Sequence, residues 1–403
     1  MPGPERHDTN DTHDIVVVGA STGGVETLVN LVNGLPRDFP AAIFVVLHIP
    51  AQAPSALPQI LSRHGPLRAH HAVDGEAIKP GRIYVAPPDH HVLVGRGFVR
   101  LSRGPRENLH RPAVDPLFRS AALAYGPRVI GVVLTGALDD GTAGLLTVKR
   151  RGGLAIVQNP EDAFFPDMPA SALHYVAVDY VLPLKQLPAK LDQLARTPVK
   201  ELAALPAPRD LQREVQSDEL EAFVMENDEI PGTLSAFTCP ECKGPLWELR
   251  DGELLRFRCR TGHAFTSETM LAGQAQAIEE AMWAALNTLE ESAIISRRLA
   301  REARERNHLR VAERFDERER NARQRAQAIR QVLLNGDETL PTETPEIEET
   351  VEATAAAGST LSKVDLGAAN GRRKRSLSSP NKPASQQAEQ ESEQEQEQNG
   401  AGD

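Results

Sequence analysis

Aromatic residues are scarce in this chain. Phe, Trp and Tyr make up 4% of its 403 residues while 40% are hydrophobic, so any core must be aliphatic. Cysteine is nearly absent: all three lie between Cys239 and Cys259, which excludes a disulfide framework and points to a reducing, cytoplasmic compartment. No run approaches the roughly 18 apolar residues that a membrane-spanning helix needs, and Met1 to Asp14 carries no apolar h-region. Neither membrane insertion nor secretion is expected. Positive charge is also in deficit. The formal charge is −11, and Asp337 to Asp403, with 6 basic and 14 acidic residues, contributes −8 of it. That balance argues against nucleic acid as a partner. Finally, no Gly-x-Gly-x-x-Gly fingerprint with a following acidic residue is met, which counts against a dinucleotide-binding oxidoreductase.

What is present is a β/α alternation. Ile15 to Val18 are four β-branched residues in succession, the mark of a strand buried on both faces. They run into Gly19-Ala20-Ser21-Thr22-Gly23-Gly24 and then a helically spaced stretch, Val25 to Val32. Further strands are expected at Ala42–His48, Val129–Leu134 and Gly153–Val157, with helices at Ser55–Arg63, Val114–Ala124 and from Met168. Between them, Arg82–Ala86, His91–Val94 and Gly97–Ser102 read as an inserted β meander. The expected fold is α/β over 14–195, a doubly wound, mostly parallel sheet.

The glycine loop at Ser21 admits three readings: a plain topological turn, a phosphate-binding loop, or a nucleophile elbow, whose Gly-x-Ser-x-Gly spacing it matches. Ser21, His48 and Asp140 each fall just beyond the carboxyl end of an expected buried strand, the edge where open α/β sheets form their sites. Together they suit a Ser–His–Asp triad, with His48 as base and Asp140 as its orienting acid. Taken singly, a strand-end histidine is more often structural and an Asp-Asp-Gly turn more often a helix cap.

Gly19 to Gly24, Leu47-His48-Ile49-Pro50, Tyr84 to Pro87, His110 to Phe118, Leu134-Thr135-Gly136 with Asp140-Gly141, and Gly152-Gly153 followed by Met168-Pro169 resemble the chemotaxis receptor methylesterase family (CheB). The resemblance covers about residues 12–195. It implies hydrolysis of γ-glutamyl methyl esters on methyl-accepting chemotaxis receptors, and deamidation of glutamines there, by Ser21, His48 and Asp140 without a catalytic cofactor. It also implies a methylated receptor or other signalling protein as substrate. A receptor methyltransferase, or a response regulator in trans, is a further candidate partner. Family members usually carry a receiver domain ahead of the esterase. With its catalytic strand at residue 14, this chain is expected to be a receiver-less form. Where the family reads Leu-Thr-Gly-Met-Gly before its Asp-Gly pair, this chain has Ala137-Leu138-Asp139. Backbone amides of Thr22, Gly136 and Ala137 are the expected oxyanion donors. Arg111 is read either as a partner for acidic substrate side chains or as an ordinary surface arginine.

The rest of the chain divides differently. Residues 1–13 are expected as a disordered leader, 196–235 as a linker and 335–403 as a disordered acidic tail. In 236–266, Cys239-x2-Cys242 and Cys259-x3-His263 frame a hairpin that turns at Asp251-Gly252. Four such ligands suit tetrahedral structural zinc in a zinc ribbon, the competing reading being a free-thiol hairpin. Residues 267–334 read as a helical hairpin broken at Asn307-His308, with apolar stripes through Ile278, Met282, Ala285, Leu289 and Leu299 and through Ala312, Phe315, Ala322, Ala326, Ile329 and Leu333. It either packs on itself or binds a helical partner. A signalling scaffold with a weak triad is the alternative to the enzyme.

Overall fold

In the computed structural model, which describes residues 12–199, 208–219 and 232–334, the apolar runs become the centre of a seven-stranded sheet. Its strands are β1 (Ile15–Ala20), β2 (Ala42–Leu47), β3 (Arg68–His71), β4 (Arg82–Val85), β7 (Val129–Val133), β8 (Leu154–Gln158) and β9 (Tyr180–Leu182). They are ordered β3-β4-β2-β1-β7-β8-β9, and all neighbours pair in parallel. Strand residues alternate between two apolar layers. Val16, Val18, Ile43 and Val45 face one layer with α1 (Gly24–Asn33), α2 (Leu57–His64) and α6 (Leu187–Ala195). Val17, Phe44 and Val46 face the other with α3 (Val114–Tyr125), α4 (Thr142–Arg150) and α5 (Asp167–Tyr175). Helices on both faces make the doubly wound architecture, and burying each Val or Ile is worth about 1.5–3 kcal/mol. The order reverses between β1 and β7, so the ends of β1, β2 and β7 share one crevice.

The expected meander divides in two. Ile83, Tyr84 and Val85 are covered on both faces and make β4 a member of the main sheet, while β5 (His91–Val94) and β6 (Val99–Ser102) form a separate antiparallel pair. The expected linker also needs correction. Its described part contains α7 (Arg209–Glu219), which buries Leu211 and Val215 together with Glu214, Ser217 and Asp218. Glu214 and Asp218 are held by ion pairs and Ser217 by a hydrogen bond from Arg258, which is why the segment has the composition of a solvated linker. Of the leader, Thr12 and His13 are described, and Thr12 bridges to Pro198; the acidic tail lies outside the described residues.

The second sheet, β10 (Thr233–Thr238), β11 (Pro245–Asp251), β12 (Leu254–Cys259) and β13 (Ala264–Thr266), is antiparallel throughout. It leads directly into α8 (Ser267–Glu305), which ends just before Asn307 (φ 59), and α9 (Leu309–Leu334) follows. The α8 stripe differs from expectation. Ile278 is 60% exposed, and beyond Gly273 the buried positions of α8 are Leu286, Ala293, Ser296, Ala300 and Ala303, with Ala312, Ala322 and Ala326 buried on α9. Small residues let the two helices approach closely, so alanine rather than isoleucine marks the seam. No helix among the described residues is long and apolar enough to cross a membrane.

Between the ribbon, α7 and α3 lies a charged seam. Arg119 on α3 and Arg258 on β12 are each 1% exposed. Arg119 Nη2 lies 2.7 Å from Glu107 and 2.8 Å from Asp218, and Arg258 Nη2 lies 2.5 Å from Glu107. Arg256 bonds Glu214 at 2.9 Å. The ribbon is thus keyed to the α/β layer through charges that have left water.

Candidate active site

β1 ends at Ala20 and β2 at Leu47, which puts Ser21 and His48 on adjacent strand ends. Asp140 follows β7 on the other side of β1. Ser21 Oγ lies 3.0 Å from His48 Nδ1, and His48 Nε2 lies 2.7 Å from Asp140 Oδ2. An ionised carboxylate only accepts, so Nε2 carries the imidazole proton and Nδ1 offers a lone pair to the serine hydroxyl. The His48 side chain is 4% exposed and that of Asp140 2%. The positive φ of this turn falls not at Ser21 but at Gly23 (φ 75), the residue preceding α1, where glycine adopts it freely.

Asp140 is held on all sides. Its Oδ2 accepts from the Val114 amide at 2.6 Å as well as from His48; its Oδ1 accepts from the Asp115 amide at 3.2 Å and from Asn108 Nδ2 at 2.9 Å. The carboxylate therefore satisfies the first amides of α3, a helix start without a side-chain cap of its own. Burial alone would raise this carboxyl; the His48 hydrogen bond and charge, then the Val114 amide and Asn108, outweigh it and hold it below the ordinary value. Asp115 and Asp139 behave oppositely. Burial, then the charge of Asp140, pushes Asp115 up, and burial pushes Asp139 up to about 8. The His48 ring is stacked on His110, centroids 3.6 Å apart and planes 9° apart. Burial, and next His48, drives His110 down to about 4, so this partner ring is neutral near pH 7.

The other expected residues sort themselves by their hydrogen bonds. The Gly136 amide donates to the Phe165 carbonyl at 3.1 Å, so it is not free to receive an oxyanion. Its glycine is required for another reason: an added Cβ would meet Met168 Sδ at 2.0 Å and Ser21 Cβ at 2.8 Å. The Ser21 amide is likewise engaged, by the Thr135 carbonyl. The amides of Thr22 and Ala137 donate to no protein group among the described residues. Arg111 is spent structurally: its guanidinium bonds Asp89 at 2.6 and 2.9 Å and the carbonyls of Arg103 and Gly104. Sequence reading gave no role to Asn108, His110, Thr266 or Thr269. The one available signal was that His110 opens the quoted motif at 110–118.

In the ribbon, the ligand atoms of Cys239, Cys242, Cys259 and His263 all lie within 4.8 Å of one another. His263 turns Nδ1 towards Cys259 (3.5 Å) and Nε2 towards Glu241 (3.4 Å), a carboxylate-backed histidine of the kind that ligates metals. The hydrogen bond from Cys239, against burial, and then that from His263 hold the Cys259 thiol well below its ordinary value. These four groups could hold a metal ion.

Known proteins resemble this chain over its α/β region. The family model described as CheB methylesterase matches residues 16–191. A putative protein-glutamate methylesterase/protein-glutamine glutaminase of Leptospira interrogans is 39% identical over 176 residues, 43% of this chain and 91% of that protein. Protein-glutamate methylesterase/protein-glutamine glutaminase 2 of Anaeromyxobacter dehalogenans is 40% identical over 183 residues, 45% of this chain and 54% of that protein. For the corresponding protein of Ralstonia nicotianae the figures are 37% over 191 residues, 46% and 50%. The chain thus spans about half the length of the latter two. Among solved structures, the Thermotoga maritima CheB methylesterase catalytic domain is 39% identical, with TM-score 0.44, over 45% of this chain and 98% of that one. With the Leptospira relative matched over 91% of its length, this chain belongs to the CheB methylesterase family.

Proposed function

We propose that the protein is a protein-glutamate methylesterase that hydrolyses γ-glutamyl methyl esters on methylated chemotaxis receptors in the cytoplasm. In this reading Ser21 is the nucleophile, His48 the general base and Asp140 the acid that fixes the His48 tautomer. The observation that carries it is the unbroken line of hydrogen bonds from the Ser21 hydroxyl through His48 to Asp140, at 3.0 and 2.7 Å. Ser21 Oγ attacks the ester carbonyl as His48 Nδ1 takes its proton, and the tetrahedral intermediate collapses as the same proton passes to the leaving methoxide. Water then attacks the acyl-enzyme with His48 again as base. With ammonia as the leaving group, the same steps deamidate glutamine. Base assistance contributes about 10²–10⁴ in rate. Each oxyanion donor adds about 10²–10³, and the unengaged Thr22 and Ala137 amides are the donors the reading assigns. Catalysis needs no cofactor. Zn²⁺ on Cys239, Cys242, Cys259 and His263 has a structural part, since four protein ligands leave no open position.

The test is methanol release from methyl-labelled receptor cytoplasmic fragments. Ser21→Ala is expected to lower the rate by at least about 10³-fold. Release that survives in Ser21→Ala, or a folded wild type that releases none, overturns the reading and leaves a binding scaffold.

A further inference from the structure

One side chain joins the candidate active site to the C-terminal part of the chain. Both N–H groups of the Asn108 amide are taken by carboxylates, Asp140 Oδ1 and Asp115 Oδ2, each at 2.9 Å. Its carbonyl oxygen accepts from the Thr266 amide at 3.2 Å and from Thr269 Oγ1 at 3.1 Å. Thr266 and Thr269 form the reciprocal capping box at the start of α8, and Thr266 Oγ1 also donates to Asp139 at 2.7 Å. The full hydrogen-bonding capacity of Asn108 is therefore used. A rotated amide would turn its oxygen onto two carboxylates and its NH2 onto two donors, so the α8 donors select the orientation that serves Asp140.

The backbone carries the same dependence. Asn108 (φ 49) and Leu109 (φ 69) are consecutive non-glycine residues in the left-handed region, a conformation that persists only where the surroundings impose it. Here the imposing group is the ribbon. The backbone N–H of Asn108 donates to the Ala264 carbonyl at 2.8 Å, and Leu109 packs against the cluster that includes Phe257 and Phe265 of the ribbon and Met270 of α8. From this one loop Asn108 reaches Asp140 and His110 stacks on His48.

We propose that Asn108 is a positioning residue for the esterase reaction, oriented by Thr266 and Thr269, so that the ribbon and the first turn of α8 complete the active site. This rests on the esterase reading above. Asn108 acts by keeping Asp140 aimed at His48 Nε2 and does not meet the substrate, so its loss falls on turnover and not on binding.

The experiment uses the full chain with its metal content measured. Three readouts are compared in wild type, Asn108→Ala, Thr269→Val and Thr269→Ser: kcat and KM for methanol release, the rate of Ser21 labelling by a serine-directed fluorophosphonate, and the downfield proton NMR signal of the His48 Nε2–H bound to Asp140. Asn108→Ala is expected to lower kcat and labelling about 10- to 100-fold, the weight of one hydrogen bond to a charged group, and Thr269→Val, which removes a bond to the neutral Asn108 carbonyl, about 3- to 10-fold. KM stays unchanged, and the downfield signal moves or broadens. Thr269→Ser, which keeps the hydroxyl, should recover most of the wild-type rate. Folded, metal-loaded Asn108→Ala and Thr269→Val with kcat within twofold of wild type, or with the whole effect in KM, overturn the proposal. A wild type that neither releases methanol nor labels would refute the esterase reading instead. The NMR signal would still report whether Asn108 holds the Asp140–His48 pair, and an unmoved signal in both variants overturns the proposal independently.

Discussion

The central sheet and the ribbon seam do the same job, fixing one layer against another, with opposite chemistry. In the sheet Val16, Val17, Val18, Val132 and Ile130 are fully buried within the two apolar layers. In the seam the fully buried side chains include Arg119 and Arg258, closed on Glu107, Asp218 and Glu214. Apolar contact is non-directional and tolerates small shifts. A buried ion pair is stabilising only with every partner in register, and strongly destabilising with one removed. The sheet is therefore strong in itself, whereas the seam is selective: it fixes one way for the ribbon to sit, and with it the loop at Asn108.

The largest break in this comparison should come from the metal. If the Cys239, Cys242, Cys259 and His263 site carries the proposed Zn²⁺, a chelator under reducing conditions would remove on the order of 10 kcal/mol from the small ribbon. The sheet holds none of that energy. Calorimetry of the full chain should then resolve an early transition for the ribbon and an unmoved one for the α/β layer. A thermogram indifferent to the chelator would mean that the ribbon stands on its packing alone.

Next in size is a matched pair of conservative substitutions. Glu107→Gln keeps shape but leaves Arg119 and Arg258 short of a buried counter-charge, and should cost about 3–5 kcal/mol in urea denaturation. Ile130→Val in the sheet removes one methylene and should cost about 0.5–1.5 kcal/mol. If the two losses come out equal, or in reverse order, water reaches the seam and the contrast collapses.

That contrast also explains what could be read beforehand. β1, β2 and β7 stand out as short apolar runs rich in β-branched residues, and Ser21, His48 and Asp140 can be singled out because each follows one of them. The cysteine spacing and the helix break at Asn307-His308 were equally local signals. The seam has no local signal. The buried face of α7 includes Glu214, Ser217 and Asp218, so its pattern resembles that of a solvated linker. The α8–α9 contact runs through alanines while Ile278 is exposed, which inverts the rule that the largest apolar residue marks the face. Asn108 meets Thr266 and Thr269 across 158 and 161 residues, a separation that carries no periodicity. The donors at Gly136 and Arg111 lack a local signal for a related reason. Whether a donor is free depends on the Phe165 carbonyl and on Asp89, neither of which is its neighbour in the chain.

The smallest effect sharpens the comparison at the point where the two chemistries meet. Asp139 is 2% exposed, and burial pushes its carboxyl up to about 8, in spite of the hydrogen bond from Thr266. In the unfolded chain an Asp titrates near pH 4. Between those values the native state keeps a proton that the unfolded state has released, so stability must fall as pH rises. The contribution is whole below pH 4 and is lost as pH climbs through about 8. The slope is at most one proton, about 1.4 kcal/mol per pH unit. Asp139→Asn keeps an oxygen for the Thr266 hydroxyl and removes the titration. Other buried carboxyls, Asp115 and Asp218 among them, titrate alike in both proteins and cancel in the difference. Urea midpoints of wild type and variant should therefore lie closest near pH 4 and separate towards pH 8, with the variant the more stable. Parallel curves would mean that Asp139 ionises as freely as in water, and that the Thr266 contact is an open edge of the seam and not part of its interior.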